Sequence, residues 1–308
     1  MDLSSIAIPV ILASVMVNST PILLAGLGEL VVEKSGVLNL GVEGMMITGA
    51  VSGFIVAILT GNPFLGFLAA AAGGAFLSLL FGILTQVLLS NQVATGLALT
   101  LFGLGLSAMM GQEYVGIKAP VIDKLNFPVL SDLPLVGRAL FQHDVLVYFS
   151  IFLVAFVWAF MTFTRGGMIL RAVGENHTAA HALGYKVVRI RLLAILFGGA
   201  SAGLGGAYIS LVLVPTWTEG MTAGAGWIAL AIVVFASWRP MRILIGAYLF
   251  GGVTVLQLNL QAAGSTIPVE LLSISPYVIT ILVLVIISRR RASAGSAPAD
   301  LGKSFHAS

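Results

Sequence analysis

The sequence predicts an all-α polytopic membrane protein, and three observations carry that prediction. Of its 308 residues, 58% are hydrophobic and 9% are charged, whereas a soluble domain carries about 25% charged residues. The mean hydropathy is +1.06. The gaps between ionisable side chains, 3–28, 44–112, 145–164, 192–218, 220–238, 243–269 and 271–288, are each as long as a membrane helix or longer, at ~20 residues per span. Together these exclude a soluble enzyme and leave no room for a separate folded soluble domain. Cysteine is absent, which excludes disulfides, thiolate metal sites and cysteine nucleophiles. The formal net charge of +3 is small and spread along the chain, and it indicates no nucleic-acid partner.

The run 3–28 is the first span. No basic residue precedes it, so it is expected to stay in the mature protein rather than to be cleaved as a signal peptide. The run 44–112 is too long for one helix and is broken by the turn clusters Gly61-Asn62-Pro63 and Ser90-Asn91-Gln92 into three spans. Each remaining run supplies one more, for about nine in all. Placing Arg289-Arg290-Arg291 in the cytoplasm puts loops 29–42, 90–92, 165–191, 239–242 and 289–308 inside, with 12 of the 15 basic residues, as the positive-inside bias requires. The N-terminus is then outside and the C-terminus cytoplasmic. A loop at about 113–143, with prolines beside acids and bases, is external. Residues 1–291 form a single transmembrane domain, and the Ala/Ser/Gly/Pro-rich stretch 292–308 reads as a disordered tail. Its Gly302-Lys303-Ser304 is no phosphate loop, because the position that needs the first glycine is Ala297.

Glu43-Gly44-Met45 recurs as Glu219-Gly220-Met221, 176 residues later. The two copies lead into spans of opposite direction, which predicts an inverted repeat of spans 1–4 and 6–9 with broken helices near 36–48 and 215–226. Helix breaks at membrane depth line cavities, and a half-helix start can hold a polar group. Asn39, Glu43, Met46, Thr48, Glu219 and Thr222 are therefore the candidate pathway residues. Two readings of the glutamates stay open: pathway groups, or ordinary residues at interfacial helix starts. Gly36-Val37-Leu38-Asn39-Leu40-Gly41 likewise reads either as a segment folded back against neighbouring spans or as an interfacial turn. Gly199, Gly203, Gly205 and Gly206 fit close helix packing.

The longest inside loop between spans, Arg165 to Arg191, holds its own helix signals. Asn176 is a good N-cap, His177 to Leu183 is alanine-rich, and Gly184 is a ready C-terminal stop. Such a two-turn helix serves either as a connector or as a knob that docks into a soluble partner.

Three stretches bear a family likeness: Glu33-Lys34-Ser35-Gly36-Val37-Leu38-Asn39-Leu40-Gly41-Val42-Glu43-Gly44-Met45-Met46; Leu170-Arg171-Ala172-Val173-Gly174-Glu175-Asn176 with Ala179-Ala180 and Leu183-Gly184; and Gly220-Met221-Thr222-Ala223-Gly224. Over roughly 25–255 the chain resembles permease subunits of bacterial ABC importers of the branched-chain amino acid, ribose and nucleoside superfamily. It is most similar to the shorter permease of nucleoside importers. The resemblance implies that 171–184 is the ATPase-coupling helix, with Arg171, Glu175, Asn176, Ala179, Ala180, Leu183 and Gly184 on the family motif. It also implies a second homologous permease, a heterodimer being favoured over a homodimer. An ATPase subunit would hydrolyse the ATP, and an external substrate-binding lipoprotein would deliver the solute. This chain would itself bind no cofactor or metal and be no enzyme. It would sit in the bacterial plasma membrane, in contact with the lipid bilayer. A ribose-type permease and an ion-coupled secondary transporter are the alternatives. An intramembrane enzyme is disfavoured, because His143, His177, His181 and His306 all fall outside the expected spans.

Overall fold

The computed structural model describes residues 8–125, 137, 140–264, 267–289 and 297–306. Among these the chain is helical, with no β structure beyond two isolated bridges. The helices are α1 (Ile8–Lys34), α2 (Val42–Thr60), α3 (Pro63–Gly82), α4 (Gln92–Gly111), α5 (Val145–Phe163), α6 (Arg165–Glu175), α7 (His177–Ala182), α8 (Val187–Tyr208), α9 (Ala225–Phe235), α10 (Pro240–Ala262) and α11 (Val269–Arg289). Single π turns, Ile83–Val87 and Ile209–Leu213, extend α3 and α8.

Local chemistry sets the breaks. Gly61 takes a left-handed φ of 66° to end α2, and Asn62 Oδ1 accepts from the Phe64 amide at 2.9 Å to start α3, with Pro63 in the first turn. At the next break Asn91 Oδ1 accepts from the Ala94 amide at 3.0 Å. Both turn clusters read from the sequence are therefore real helix boundaries. Asp144 starts α5 in the same manner, accepting from the Leu146 and Val147 amides.

Seven helices among the described residues are long and apolar enough to cross a membrane. Seven of the nine or so expected runs correspond to those helices, and the remaining two do not form helices of spanning length among the described residues. The run 220–238 folds into an irregular stretch and then α9, which at 11 residues is about 16 Å long against a hydrocarbon core of about 30 Å. The described apolar part of the last helix, Val269–Val283, is also short of a span. A second departure is that α1 runs on to Lys34, so Glu29 and Glu33, expected in an inside loop, lie within a helix and are buried.

The core is built on α1, α2, α3 and α8, while α4, α5, α10 and α11 turn large apolar side chains such as Leu101, Phe152, Leu256 and Leu282 outward. Helix α8 comes closest to its neighbours through its glycines. A Cβ at Gly206 would stand 1.8 Å from the Met46 carbonyl oxygen, and one at Gly203 would stand 2.2 Å from that of Ala70. Only hydrogen at those positions lets α8 lie backbone to backbone on α2 and α3.

The tail corrects another expectation. Residues 292–296 lie outside the described residues, but 297–306 are not disordered: they pack against α6, α7 and α8, with Phe305 only 7% exposed. A Gly- and Ala-rich composition disfavours a self-contained core, and it does not prevent one aromatic anchor from seating on another surface.

Candidate functional site

After α1 the chain reverses. Asn39 Nδ2 donates to Glu29 Oε2 at 3.3 Å, more than a turn back along α1, so the segment 35–41 climbs beside the helix it has just left. Of the two readings of this glycine-rich stretch, the geometry is the folded-back one. Gly36 makes the reversal at φ 88°.

The climb delivers the start of α2 to the start of α9. Glu43, in the first turn of α2, is 4% exposed. Its Oε1 accepts from Thr222 Oγ1 at 2.5 Å and from the Gly224 amide at 3.0 Å, and its Oε2 accepts from the Gly226 amide at 2.7 Å. Helix α9 has no side-chain cap of its own. The carboxylate of another helix therefore satisfies the orphan N–H groups and meets the positive end of the helix dipole. Gly226 is required by contact, since a Cβ there would lie 2.6 Å from the Glu43 backbone nitrogen.

Of the candidate pathway residues, the structure brings Glu43 and Thr222 together and separates the rest. Asn39 is buried on Glu29, and its Oδ1 accepts from the Gly41 amide at 3.0 Å. Met46 is fully buried against α8. Thr48 is buried with its hydroxyl unpartnered. Glu219 is exposed in the irregular stretch before α9. That stretch is pinned on its other side, where Trp217 is buried under Phe54 and beside Gly111, and where the Ala119 amide donates to the Pro215 carbonyl at 2.9 Å.

Charge spacing alone missed four buried groups. Glu29 and Glu33, one turn apart on α1, are 1% and 0% exposed; Glu33 accepts from the Trp238 indole, and each acid keeps one oxygen unpartnered. Asp144 is buried and accepts from the Tyr208 hydroxyl at 2.7 Å. Arg191, expected in a loop, is a fully buried residue of α8 that donates to the Ser35 and Lys303 carbonyls at 3.1 and 2.9 Å. The legible signal for the α1 acids was their four-residue spacing, which continues the helix. Buried acids on the described residues thus exceed the two expected.

Helix α7 follows α6 in the connection between α5 and α8. Asn176 Oδ1 accepts from the Ala179 amide at 2.8 Å, and Gly184 takes φ 89° at the far end, as the sequence predicts. The helix buries Ala180 and exposes Ala179, Leu183 and Gly184, with Leu183 78% exposed. Arg171, Glu175 and Asn176 are also exposed. Burial holds the His177 imidazole below its usual pKa, against the opposing pull of Asp300. Its Nδ1 lies 2.7 Å from Asp300 Oδ2.

Comparison with known proteins places this architecture. Residues 11–287 match the family described as branched-chain amino acid transport system, permease component. The chain is 43% identical to TsgC13 of Haloferax volcanii, a protein named as a glucose ABC transporter permease, over 86% of this chain and 88% of that one. It is 32% identical to the nucleoside ABC transporter permease NupC of Lactococcus lactis, over 89% and 91% of the two chains. It is also 32% identical to the guanosine ABC transporter permease NupQ of Bacillus subtilis, over 92% and 93%. Each of these organisms contributes a second, more distant permease at 25–28% identity. No solved structure matches. With seven apolar helices and a family match over most of its length, the chain is a multi-pass membrane protein and belongs to the permease components of the branched-chain amino acid transport system family.

Proposed function

We propose that this chain forms half of the translocation pore of an ATP-driven importer and couples to a separate ATPase through α7. The observation that carries the reading is α7 itself, a capped two-turn helix in the connection between the long apolar helices α5 and α8, presenting Ala179, Leu183 and Gly184 outward. Small residues on an exposed helix allow close approach of a partner groove. The split of basic residues supports a cytoplasmic α7, with the N-terminus outside and the C-terminus inside. ATP is hydrolysed on the ATPase chain, and an external binding lipoprotein delivers the solute. The other half of the pore is a second, homologous permease rather than another copy of this chain, because the organisms of all three relatives carry a second, more distant permease match.

The inverted repeat belongs to this proposal. Helices α1 to α4 begin at residues 8, 42, 63 and 92, and α8 to α11 begin at 187, 225, 240 and 269. The offsets run from about 177 to 183 residues, close to the spacing of the two Glu-Gly-Met copies. In that arrangement 214–224 enters from outside and 35–41 from inside, and the Glu43 contact with α9 lies at membrane depth, beside the pathway.

The substrate is a neutral, hydroxyl-rich solute. The two relatives at 32% support a nucleoside; the relative at 43% supports a simple sugar. Uptake of labelled guanosine, adenosine, ribose and glucose by the complete transporter separates them: uptake of sugars alone removes the nucleoside reading. Uptake that follows an ion gradient and persists without ATP would overturn the ABC importer reading itself.

A further inference from the structure

The tail that was expected to hang free is instead seated on the one helix proposed to meet the ATPase, and it is held there from three directions. The Asp300 amide donates to the Gly174 carbonyl at 3.0 Å at the end of α6. The His177 amide, the first of α7, donates to Asp300 Oδ2 at 2.8 Å. Phe305 fills a small apolar cluster with Val173, Ala180 and Val187, its ring 5.4 and 5.2 Å from those of His177 and His181. The tail thus covers the inner face of α7 and leaves Ala179 and Leu183 outward.

The same segment also grips the start of the folded-back stretch. The Gly302 amide donates to the Gly36 carbonyl at 3.1 Å, with Gly302 in the left-handed region at φ 77°. Buried Arg191 joins the pieces, donating to the Lys303 and Ser35 carbonyls with Gln86 Oε1 at 3.4 Å and His177 Nδ1 at 3.4 Å. Gly174 lies so close to α1 that a Cβ there would stand 2.2 Å from the Lys34 carbonyl oxygen. A two-turn helix is marginal by itself and has few contacts with which to transmit force. With the tail in place, α7 and segment 35–41 are bridged by Asp300, Gly302 and Arg191.

We infer that residues 297–306 are a clamp that positions α7 for coupling and ties it mechanically to segment 35–41, with Phe305 and Asp300 as its positioning residues. This rests on the coupling role proposed for α7, and the test separates the two. The complete transporter is reconstituted into proteoliposomes with four forms of this chain: Phe305→Ala, Phe305→Leu, a chain ended at Ser296, and Ala179→Trp. The first measurement is hydrogen exchange over 171–185, and the second is guanosine or glucose uptake per ATP hydrolysed, whichever solute the wild type carries.

The clamp predicts that Phe305→Ala and the shortened chain speed exchange over 171–185 at least tenfold and lower uptake per ATP about tenfold, while the ATPase still co-purifies. Phe305→Leu should restore both to within about twofold. Unchanged exchange in the shortened chain overturns the clamp, and so does faster exchange with unaltered uptake per ATP. Ala179→Trp tests the underlying reading alone: if uptake survives it, α7 is not the coupling element. If Ala179→Trp abolishes uptake while Phe305→Ala changes nothing, the coupling role stands and the clamp falls.

Discussion

Glu43-Gly44-Met45 and Glu219-Gly220-Met221 are the same three residues in two places, and the fold treats them in opposite ways. The first copy lies inside α2, with its carboxylate buried and both oxygens bonded to Thr222, Gly224 and Gly226. The second lies before α9 in a run of turns, with Gly220, Ala223 and Gly224 all at positive φ and Glu219 exposed. The acid of one copy thus caps the helix that follows the other. Identical motifs do not imply identical roles. What a carboxylate does is set by which helix start it can reach.

That contrast can be broken deliberately. Glu43→Ala should have the largest effect, about 4 kcal/mol of destabilisation, since it strands one hydroxyl and two backbone amides in a buried site; thermal unfolding in detergent measures it. Gly226→Ala should follow at about 3 kcal/mol, because its Cβ has no space beside the Glu43 backbone. Glu43→Gln should lose about 2 kcal/mol, since an amide nitrogen then faces a backbone donor. Any transport defect in that variant therefore has to be corrected for lost protein before it counts as a pathway effect. Thr222→Val removes one hydroxyl donor and should lose about 1 kcal/mol. Glu219→Gln should change stability by less than about 0.5 kcal/mol, as exposed substitutions do. Equal losses at positions 43 and 219 would erase the distinction between the copies.

Much of the fold was legible because lipid enforces it locally. A charge is expensive in hydrocarbon, so charge-free runs mark helices, and Asn62 and Asn91 mark breaks because their side chains bond amides two or three residues away. The same rule misled where charged groups are hydrogen-bonded in the interior. Glu29, Glu33 and Arg191 looked like loop residues, yet each is buried with partners distant in sequence, among them Trp238 and the Lys303 carbonyl. Glu219 looked equivalent to Glu43 because its neighbours in sequence match, whereas burial is decided by neighbours in space.

The class, most of the helical runs, the turn boundaries and the capped ends of α7 could be read along the chain, because each follows from residues within a turn or two of one another. The family likeness was legible for the same reason, in short contiguous motifs. Packing in three dimensions set the rest: α9 is too short to span, Glu43 caps a helix start 181 residues away and Phe305 seats on α7. Those outcomes depend on which surfaces the packed helices bring within hydrogen-bond or van der Waals reach, and hydrogen bonding and van der Waals contact decay within a few ångströms. No reading along the chain supplies those distances.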